Sequence, residues 1–254
     1  MPRELRLLAP EGFPEVQAGD DLAALALAAL AADGTPPQAG DILIFAQKVV
    51  SKAEGRKRAL APVVPSDRAR QLEATCHKDA RVMELLLGET REILRERPGV
   101  VIVENRNGLV MANAGIDASN LGIGDDDTVL LLPEDPDASA ATLRTRLEAA
   151  TGLRLGVIIN DSFGRAWRMG TIGTAIGVSG LPALLDLRGR PDRRGRNLET
   201  SELGCADELA AAASLLMGQG DEGRPLVLAR GFPYPLDDGT AADLLRPRNM
   251  DMFR

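Results

Sequence analysis

Short apolar runs alternate along this chain with longer stretches in which apolar residues recur every three or four positions. The short runs are rich in β-branched residues and predict strands at 5–8, 42–46, 100–104, 128–132, 156–159, 172–178 and 225–229. The longer stretches predict a helix that begins after Asp20 or Asp21, two or three helices within 66–97 that begin at Ser66, and helices at 137–151 and 207–217. Together these elements predict an α+β fold with mixed and antiparallel sheets and flanking helices.

The stretch 156–180, GVIINDSFGRAWRMGTIGTAIGVSG, concentrates polar side chains between two predicted strands. Its turn carries Asn160, Asp161, Ser162, Arg165, Trp167 and Arg168. Because neighbouring side chains on a regular strand point to opposite faces, Asp161 and Ser162 can serve one site only where the strand ends or bulges. Glycines at 164, 170, 173 and 177 permit such a backbone and its close approach to a ligand or a strand. The alternative is an ordinary tight connection between two core strands.

Composition narrows the class of protein. The chain has 254 residues, enough for one large domain or two small ones, and its 44% hydrophobic and 3% aromatic content predicts an aliphatic core. The net charge of -7 argues against non-specific binding to nucleic acid or to an anionic membrane, so an anionic substrate must be met by local cations or by metal.

Cys76 and Cys205 are too few for a disulfide framework, and a reducing cytoplasm fits them. We find neither a signal peptide nor an apolar run of membrane-spanning length.

The single histidine, His77, excludes most histidine-based mechanisms. Neither a zinc site of the HExxH type nor a three-histidine metal centre can be built from one imidazole. A Ser-His-Asp triad would depend wholly on His77. Its position before an amphipathic run favours a loop or helix-end residue over a catalytic one.

A second candidate acid, Asp117, lies in the segment AGIDASN between predicted strands. Loops carried on rigid strands are frequent locations for functional residues, and Ser119 and Asn120 follow closely. The alternative is an Asx-turn, in which the Asp117 carboxylate bonds only its own backbone.

Two basic segments are candidates for anion binding. Lys48 and Lys52 closely follow the strand at 42–46, where a charge run most often marks a solvated strand end but could equally contact phosphates. The loop DLRGRPDRRGRNLETSELG carries arginines at 188, 190, 193, 194 and 196, interrupted by glycine and proline, so it cannot form a regular helix. It is either a solvated loop or a site for phosphate or carboxylate groups.

A glycine-rich segment, MGQGDEGRP, follows the helix at 207–217. Gly218, Gly220 and Gly223 have the G-x-G-x-x-G spacing, but here a helix precedes the loop and a strand follows it. That order is the reverse of the dinucleotide-binding motif, so we reject a Rossmann site, and the chain has no P-loop motif. A glycine-rich turn that can wrap closely around a ligand remains.

These stretches resemble the coenzyme F420 gamma-glutamyl ligases over nearly the whole chain. The matching segments follow the family's order and are GFPEVQAGDDL, AQKVVSKAEG, HKDARVMELLL, NAGIDASN, NDSFGRAWRMGTIGTAIGVSG, RGRPDRRGRNLETSE and ADELAAAASLLMGQGDEG. The resemblance implies a family-specific ligase fold over residues 1–245, neither Rossmann nor P-loop, which could comprise two closely packed subdomains. The tail 246–254 resembles the linker that in two-domain members leads to a flavin-binding nitroreductase-like domain.

The resemblance also implies ligand-binding residues. Asp117 and Asp161 would bind one divalent ion, and Ser162 and Gln219 would contribute to a second. Oxygen donors of this kind suit magnesium or manganese rather than zinc, and potassium is a further candidate ion. The implied GTP contacts are Phe13, Pro14, Glu15, Val16, Gln47, Lys48, Lys52, Asn120, Met217, Gly218, Gln219, Gly220, Asp221, Glu222, Gly223 and Arg224. From charge we add Arg165, Arg168 and the arginine-rich loop as holders of the acceptor's phosphate or of glutamate, so the predicted catalytic residues are Asp117, Asp161, Arg165 and Arg168.

The implied activity is that of a cytoplasmic, homodimeric, GTP-dependent ligase. It would join L-glutamate to the phospholactyl-deazaflavin precursor of coenzyme F420 by an amide bond and then add a γ-linked glutamate, through an acyl phosphate and with release of GDP and phosphate. Two alternatives stay open from the residues alone. One is another amide ligase or phosphotransferase with the same metal and nucleotide core, and the other is a nucleotide-binding sensor.

Overall fold

A computed structural model of the chain describes residues 4–117 and 127–252. In these residues the α-helices are α1 (Leu22–Ala32), α2 (Gln47–Ala53), α3 (Asp67–Cys76), α4 (Ala80–Gly88), α5 (Pro136–Thr151) and α6 (Cys205–Met217). The strands are β1 (Arg6–Leu8), β2 (Ile42–Ala46), β3 (Lys57–Ala59), β4 (Thr90–Arg97), β5 (Val100–Asn105), β6 (Val110–Ala112), β7 (Thr128–Leu130), β8 (Gly156–Arg165), β9 (Arg168–Ser179), β10 (Leu185–Asp186), β11 (Glu202–Leu203) and β12 (Leu226–Arg230). Short 3₁₀ helices occupy Asn113–Gly115, Ala241–Leu244 and Arg248–Met250.

The largest sheet has five strands in the order β1-β12-β2-β8-β9. Strands β2 and β8 are parallel, and the other neighbours are antiparallel. The sheet is buried on both faces, which is why its central strands are continuous apolar runs rather than alternating ones. Leu43 and Phe45 of β2 face a core shared with α1, α2 and α5, whereas Ile42 and Ile44 face a core shared with α6. The predicted α+β class with mixed and antiparallel sheets is confirmed.

A smaller group of elements packs its own core. Helices α3 and α4 cover the three-stranded sheet β4-β5-β6 through Leu72, Met83, Leu86, Val101 and Val103. Ser66 caps α3 by accepting the Ala69 N–H, as the sequence predicts. The prediction of helix as far as residue 97 is wrong, because 90–97 form β4. Intrinsic helix preference is a weak guide, and pairing with β5 along the segment, interrupted by two register shifts, overrides it.

The basic segment after β2 is the helix α2, and its interpretation as a strand end is wrong. The chain enters this helix directly from the last residue of β2, and Val49 and Val50 turn inward against the core. Lys48 and Lys52 are four residues apart and therefore lie on one face of α2.

The two long helices that pack on opposite faces of the large sheet follow the sequence pattern closely. Helix α5 ends at Gly152, which has φ 69°. Helix α6 begins two residues earlier than predicted and buries Leu209 and Ala213. Glycines on β9 let both helices approach the sheet, since a Cβ at Gly173 would collide with the Ala210 carbonyl of α6, and one at Gly177 with the start of α5.

The C-terminal segment contacts both parts of the fold. Leu245 packs against the core that Leu43 and Phe45 face, and Arg248 makes an ion pair of 2.6 Å with Glu92 on β4. The predicted division into a domain at 1–245 and a tail at 246–254 stays a prediction. In the part of the chain that the structure describes, none of the helices combines the length and apolar character needed to cross a membrane.

Candidate active site

An open cleft of about 900 Å³ lies at the edge of the large sheet where the parallel strands β2 and β8 end their pairing. The carboxyl ends of adjacent parallel strands are a frequent location of ligand sites in α/β sheets. Most of the wall comes from residues 13–16 before α1, the first turns of α2, the middle of β8, and the end of α6 with its glycine-rich loop, and Thr128 of β7 also lines it.

The polar cluster of β8 lies within the strands rather than in a turn. The β8–β9 hairpin continues through the cluster and turns only at Ala166 and Trp167, the latter with φ 60°. Pairing of β8 with β2 ends at Asn160, and the β8–β9 register shifts at the same place, between Ile159 and Asn160. Beyond that point both faces of β8 carry polar groups toward the cleft. The expected bulge is confirmed by this register shift, but the predicted strand end after residue 159 is wrong, because pairing with β9 carries β8 on to Arg165.

Asp161 points to one side of β8, toward Asp117 and Lys48. The Lys48 Nζ lies 2.7 Å from the Asp117 Oδ2. Burial raises the pKa of Asp161 to about 6; the Ser162 backbone N–H opposes this, the Asp117 charge raises the pKa further, and Lys48 lowers it. Asp117 is held in place by a bridge to Leu130 of β7, in which its N–H and C=O both pair. Its side chain bonds a lysine from another element, so an Asx-turn alone does not describe it.

Ser162 points to the other side, toward the end of α6. Its hydroxyl donates to the Gln219 Oε1 at 2.9 Å, and the Gln219 Nε2 donates to the Ser214 Oγ at 3.4 Å. Asn160 lies on the same side and donates to the Met217 sulfur at 3.4 Å. The Asn160 Oδ1 is buried and accepts no hydrogen bond from any residue that the structure describes. This side of β8 therefore gathers uncharged oxygen donors.

These residues fit divalent cations. Across 4–117 and 127–252 no three His, Cys, Asp or Glu side chains cluster as a complete protein metal centre. The two acids are nevertheless held together although their charges repel, with a single ammonium group paired to one of them. A dication would compensate both carboxylates, and magnesium and manganese accept oxygen ligands and complete their coordination with water or phosphate. Asp117 and Asp161 would hold one such ion, and Ser162 and Gln219 a second.

Most of the predicted nucleotide contacts line this one cleft. They are Phe13, Pro14, Glu15, Val16, Gln47, Lys48, Lys52, Met217, Gly218, Gln219, Gly220, Asp221, Gly223 and Arg224. Glu222 turns back instead and accepts the Gly220 N–H at 2.8 Å. Gly218 has φ 73°, and a Cβ at this position would collide with the Glu222 carboxylate, so the loop requires glycine here. Asn120 lies outside the described residues.

Some residues that line the cleft are absent from the metal and nucleotide contacts predicted from the sequence. Asn160 and Ser214 both contribute to the wall. Ser214 precedes Met217 by three residues, so helical spacing on α6 would have placed it on the same face. Asn160 precedes Asp161, but only the end of β2 pairing reveals that both sides of this strand face the cleft.

The predicted arginines lie outside the cleft wall. Arg165 and Arg168 are exposed and face each other across the tip of the β8–β9 hairpin. In the arginine-rich loop, Arg188 pairs with Asp186 at 2.7 Å and Arg196 with Asp192 at 3.2 Å. The catalytic assignment of Arg165 and Arg168 stays a prediction. His77 ends helix α3 with φ 56° and does not line the cleft, which confirms its expected helix-end position.

The cleft defines a class of protein. Asp161, lysines on one face of α2 and a glycine-rich loop line a concave site, an arrangement typical of the ligand-binding cleft of an enzyme.

The chain belongs to the F420-0:gamma-glutamyl ligase family, whose sequence model matches residues 12–231. It is 46% identical over 252 residues to the coenzyme F420:L-glutamate ligase of Methanothermobacter thermautotrophicus, covering 98% of this chain and 99% of that protein. The corresponding ligase of Methanopyrus kandleri is 44% identical over 244 residues, 94% of each chain, and that of Methanocaldococcus jannaschii is 42% identical over 219 residues, 86% of each. The resemblance seen in the sequence motifs is thereby confirmed.

Proposed function

We propose that this chain is a GTP-dependent ligase that adds L-glutamate to the phospholactyl-deazaflavin precursor of coenzyme F420, first by an amide bond and then by a γ-glutamyl linkage. The cleft lined by Asp161, the two lysines of α2 and the glycine-rich loop, with Asp117 beside it in an ion pair with Lys48, carries the proposal. The names of the similar proteins from Methanothermobacter and Methanopyrus support glutamate ligation.

Charge determines what the protein must supply. The acceptor's carboxylate and the triphosphate are both anions, so the reaction requires cations that offset their repulsion. Lys48 and Lys52 would contact the phosphates from α2, and the backbone of the glycine-rich loop would wrap around the nucleotide. Divalent ions, held by Asp117 and Asp161 and by Ser162 and Gln219, would neutralise phosphate charge and align the reacting oxygens. Potassium is a further candidate ion in the proposal.

The proposed reaction proceeds in two steps. A carboxylate oxygen of the acceptor attacks the γ-phosphorus, the bond from that phosphorus to the β-phosphate oxygen breaks, and GDP leaves. The amine of glutamate then attacks the acyl carbon, inorganic phosphate leaves with the original carboxylate oxygen, and the amine proton passes to solvent. No protein nucleophile takes part, which agrees with the position of His77 outside the cleft and with buried thiols at Cys76 and Cys205.

The acceptor side of the reaction is assigned to arginine. Arg165 and Arg168 at the hairpin tip, with Arg193 and Arg194 in the loop, offer exposed guanidinium groups beyond the cleft. Guanidinium groups bind phosphate and carboxylate in a bidentate manner, so they suit both the precursor's phosphate and glutamate.

A homodimer is part of the proposal. Trp167 and Met169 are 80% and 97% exposed at the tip of the β8–β9 hairpin. Large apolar side chains on a projecting ribbon suit burial against a second copy of the chain. Sedimentation of the purified protein would test this, with Trp167→Ser/Met169→Ser expected to shift the equilibrium toward monomer and a purely monomeric wild type contradicting it.

The activity is tested by products. The protein is incubated with GTP, Mn²⁺, L-glutamate and the deazaflavin precursor, and mass spectrometry follows the precursor while nucleotide analysis follows GTP. We expect glutamyl additions, with one GDP and one phosphate for each. GTP consumption that is equal with and without acceptor, with no glutamylated product, would instead indicate a nucleotide hydrolase or sensor.

A further inference from the structure

Each lysine or arginine that lines the cleft is paired with a carboxylate from another segment. Lys52 lies 3.4 Å from Glu15, and Arg224 lies 2.8 Å from Glu11. The side chains of these two glutamates are 61% and 75% exposed, so water can solvate them when their partners are drawn to a ligand.

Lys48 differs in the identity of its partner. Its ammonium group lies 2.7 Å from Asp117, whose side chain is only 25% exposed, and its charge also acts on Asp161. Lys48 thus interacts with both acids that are assigned to a divalent ion. The two acids come from separate parts of the chain, the bridge to β7 and the middle of β8, and Lys48 reaches them from α2.

We propose that Lys48 is a positioning residue that takes the place of the divalent cation between Asp117 and Asp161 while the cleft is free of metal. A divalent ion then displaces the ammonium group, which becomes available to the phosphates of the nucleotide. This inference rests on the metal site of the proposed function, and it adds a direct link between the metal and the nucleotide.

The exchange conserves favourable charge contacts at each stage. Without metal, Lys48 offsets the repulsion between the acids. When the metal is bound, the ion neutralises the two acids, and the attraction that holds Lys48 beside Asp117 is lost. An anionic triphosphate then meets a lysine whose contact with Asp117 the ion has replaced, so metal and nucleotide favour each other's binding.

The test is Mn²⁺ binding in the absence of nucleotide, measured by electron paramagnetic resonance. Lys48→Met removes the competing charge and keeps a side chain of similar length. We expect its Mn²⁺ affinity to rise at least about fivefold, the lower end of common couplings between sites. Lys48→Arg retains the positive charge and should keep affinity within about twofold of the wild type.

Lys52→Met is the matched control, because Lys52 lies on the same face of α2 but pairs with Glu15. Its Mn²⁺ affinity should stay within about twofold of the wild type. Thermal unfolding of each variant establishes that the fold is retained.

The outcomes separate the two claims. If the wild type binds Mn²⁺ but Lys48→Met binds it equally or more weakly, or if Lys48→Arg binds as tightly as Lys48→Met, Lys48 only organises the site and the exchange is overturned. If neither the wild type nor any variant binds Mn²⁺, the proposed metal site fails and the exchange with it.

Discussion

The base and the tip of the β8–β9 hairpin carry polar clusters only a few residues apart, yet their surroundings are opposite. At the base, Asp161 and Ser162 meet side chains from α2, from the segment before β7 and from the loop after α6. At the tip, Arg165 and Arg168 face each other across an exposed ribbon. The base is fixed by contacts from several elements, whereas Arg165 and Arg168 at the tip are exposed and pair with each other within the hairpin.

Under the proposed function, this difference corresponds to two roles along one hairpin, phosphoryl transfer at the base and acceptor binding at the tip. Groups that stabilise phosphoryl transfer must be held rigidly, because electrostatic stabilisation depends on preorganised geometry. Groups that bind a large acceptor can lie outside the cleft and still contribute to affinity. The following predictions test this contrast, from the largest expected effect to the smallest.

Loss of either acid at the base should abolish turnover. Asp161→Asn and Asp117→Asn preserve shape but remove a charge that the metal requires. We expect activity to fall more than about a hundredfold, beyond the range typical of residues that only orient a metal ligand. Circular dichroism should show an intact fold, and Asp67→Asn, at an exposed position of α3, is the control. Full activity in Asp161→Asn would contradict the site assignment.

Changes at the tip should affect acceptor binding selectively. Arg165→Ala/Arg168→Ala removes two charge-assisted contacts, and we expect the apparent KM for precursor or glutamate to rise about tenfold. The KM for GTP should change little because these side chains do not line the cleft. Arg70→Ala/Arg97→Ala, at exposed positions of α3 and β4, controls for net charge. An equal rise in the KM for GTP would contradict the division between base and tip.

Asp161 at the base of the hairpin should make stability depend on pH. The pKa of Asp161 is raised from 3.8 to about 6, so the folded protein binds a proton more tightly than the unfolded chain does. Ionised Asp161 therefore destabilises the metal-free protein; this cost is absent below about pH 4, grows as the pH rises, and is complete above about pH 6. Asp161→Asn should be more stable than the wild type by about 1–3 kcal/mol at pH 7.

Thermal unfolding without metal at several pH values measures this effect. The difference in Tm between Asp161→Asn and the wild type should be small near pH 4 and grow toward pH 7. Arg165→Ala should leave Tm nearly unchanged at every pH. A constant difference across this range would show that the carboxylate is not strained by its surroundings.

The smallest effect is expected at His77, which belongs to neither of the two polar clusters. His77→Gln should retain most activity, because the proposed phosphoryl transfer requires no imidazole. Initial rates at saturating substrates measure this, with Asp161→Asn as the inactive reference. A loss greater than about a hundredfold in a folded variant, the size typical of a general acid or base, would overturn the mechanism.

The fold also shows which features can be predicted from the sequence. The apolar runs of β2, β8 and β12 identify a sheet buried on both faces, and the caps at Ser66 and Gly152 identify helix ends. Helix α2 and strand β4 were missed because short charged segments have weak local preferences that tertiary pairing decides. Asp161 and Ser162 lie on opposite sides of β8, just past Asn160, where the pairing of β8 with β2 ends. Both sides therefore face the cleft. This arrangement depends on strand pairing, which local periodicity does not predict. The exposed position of Arg165 and Arg168 follows from the length of the β8–β9 hairpin. That length is also set by strand pairing, so local periodicity does not predict it.

The most direct test of the proposed acyl-phosphate mechanism follows a carboxylate oxygen of the precursor into the products. The carboxylate of the precursor is labelled with ¹⁸O, and the reaction is run with GTP, Mn²⁺ and L-glutamate. If the carboxylate attacks the γ-phosphorus, mass spectrometry will find one ¹⁸O in the inorganic phosphate released with the first glutamate and none in GDP; phosphate released with the second glutamate, which is activated at an unlabelled γ-carboxylate, carries no label. Label recovered in GMP, with release of pyrophosphate, would show nucleotidyl transfer and contradict the acyl-phosphate account.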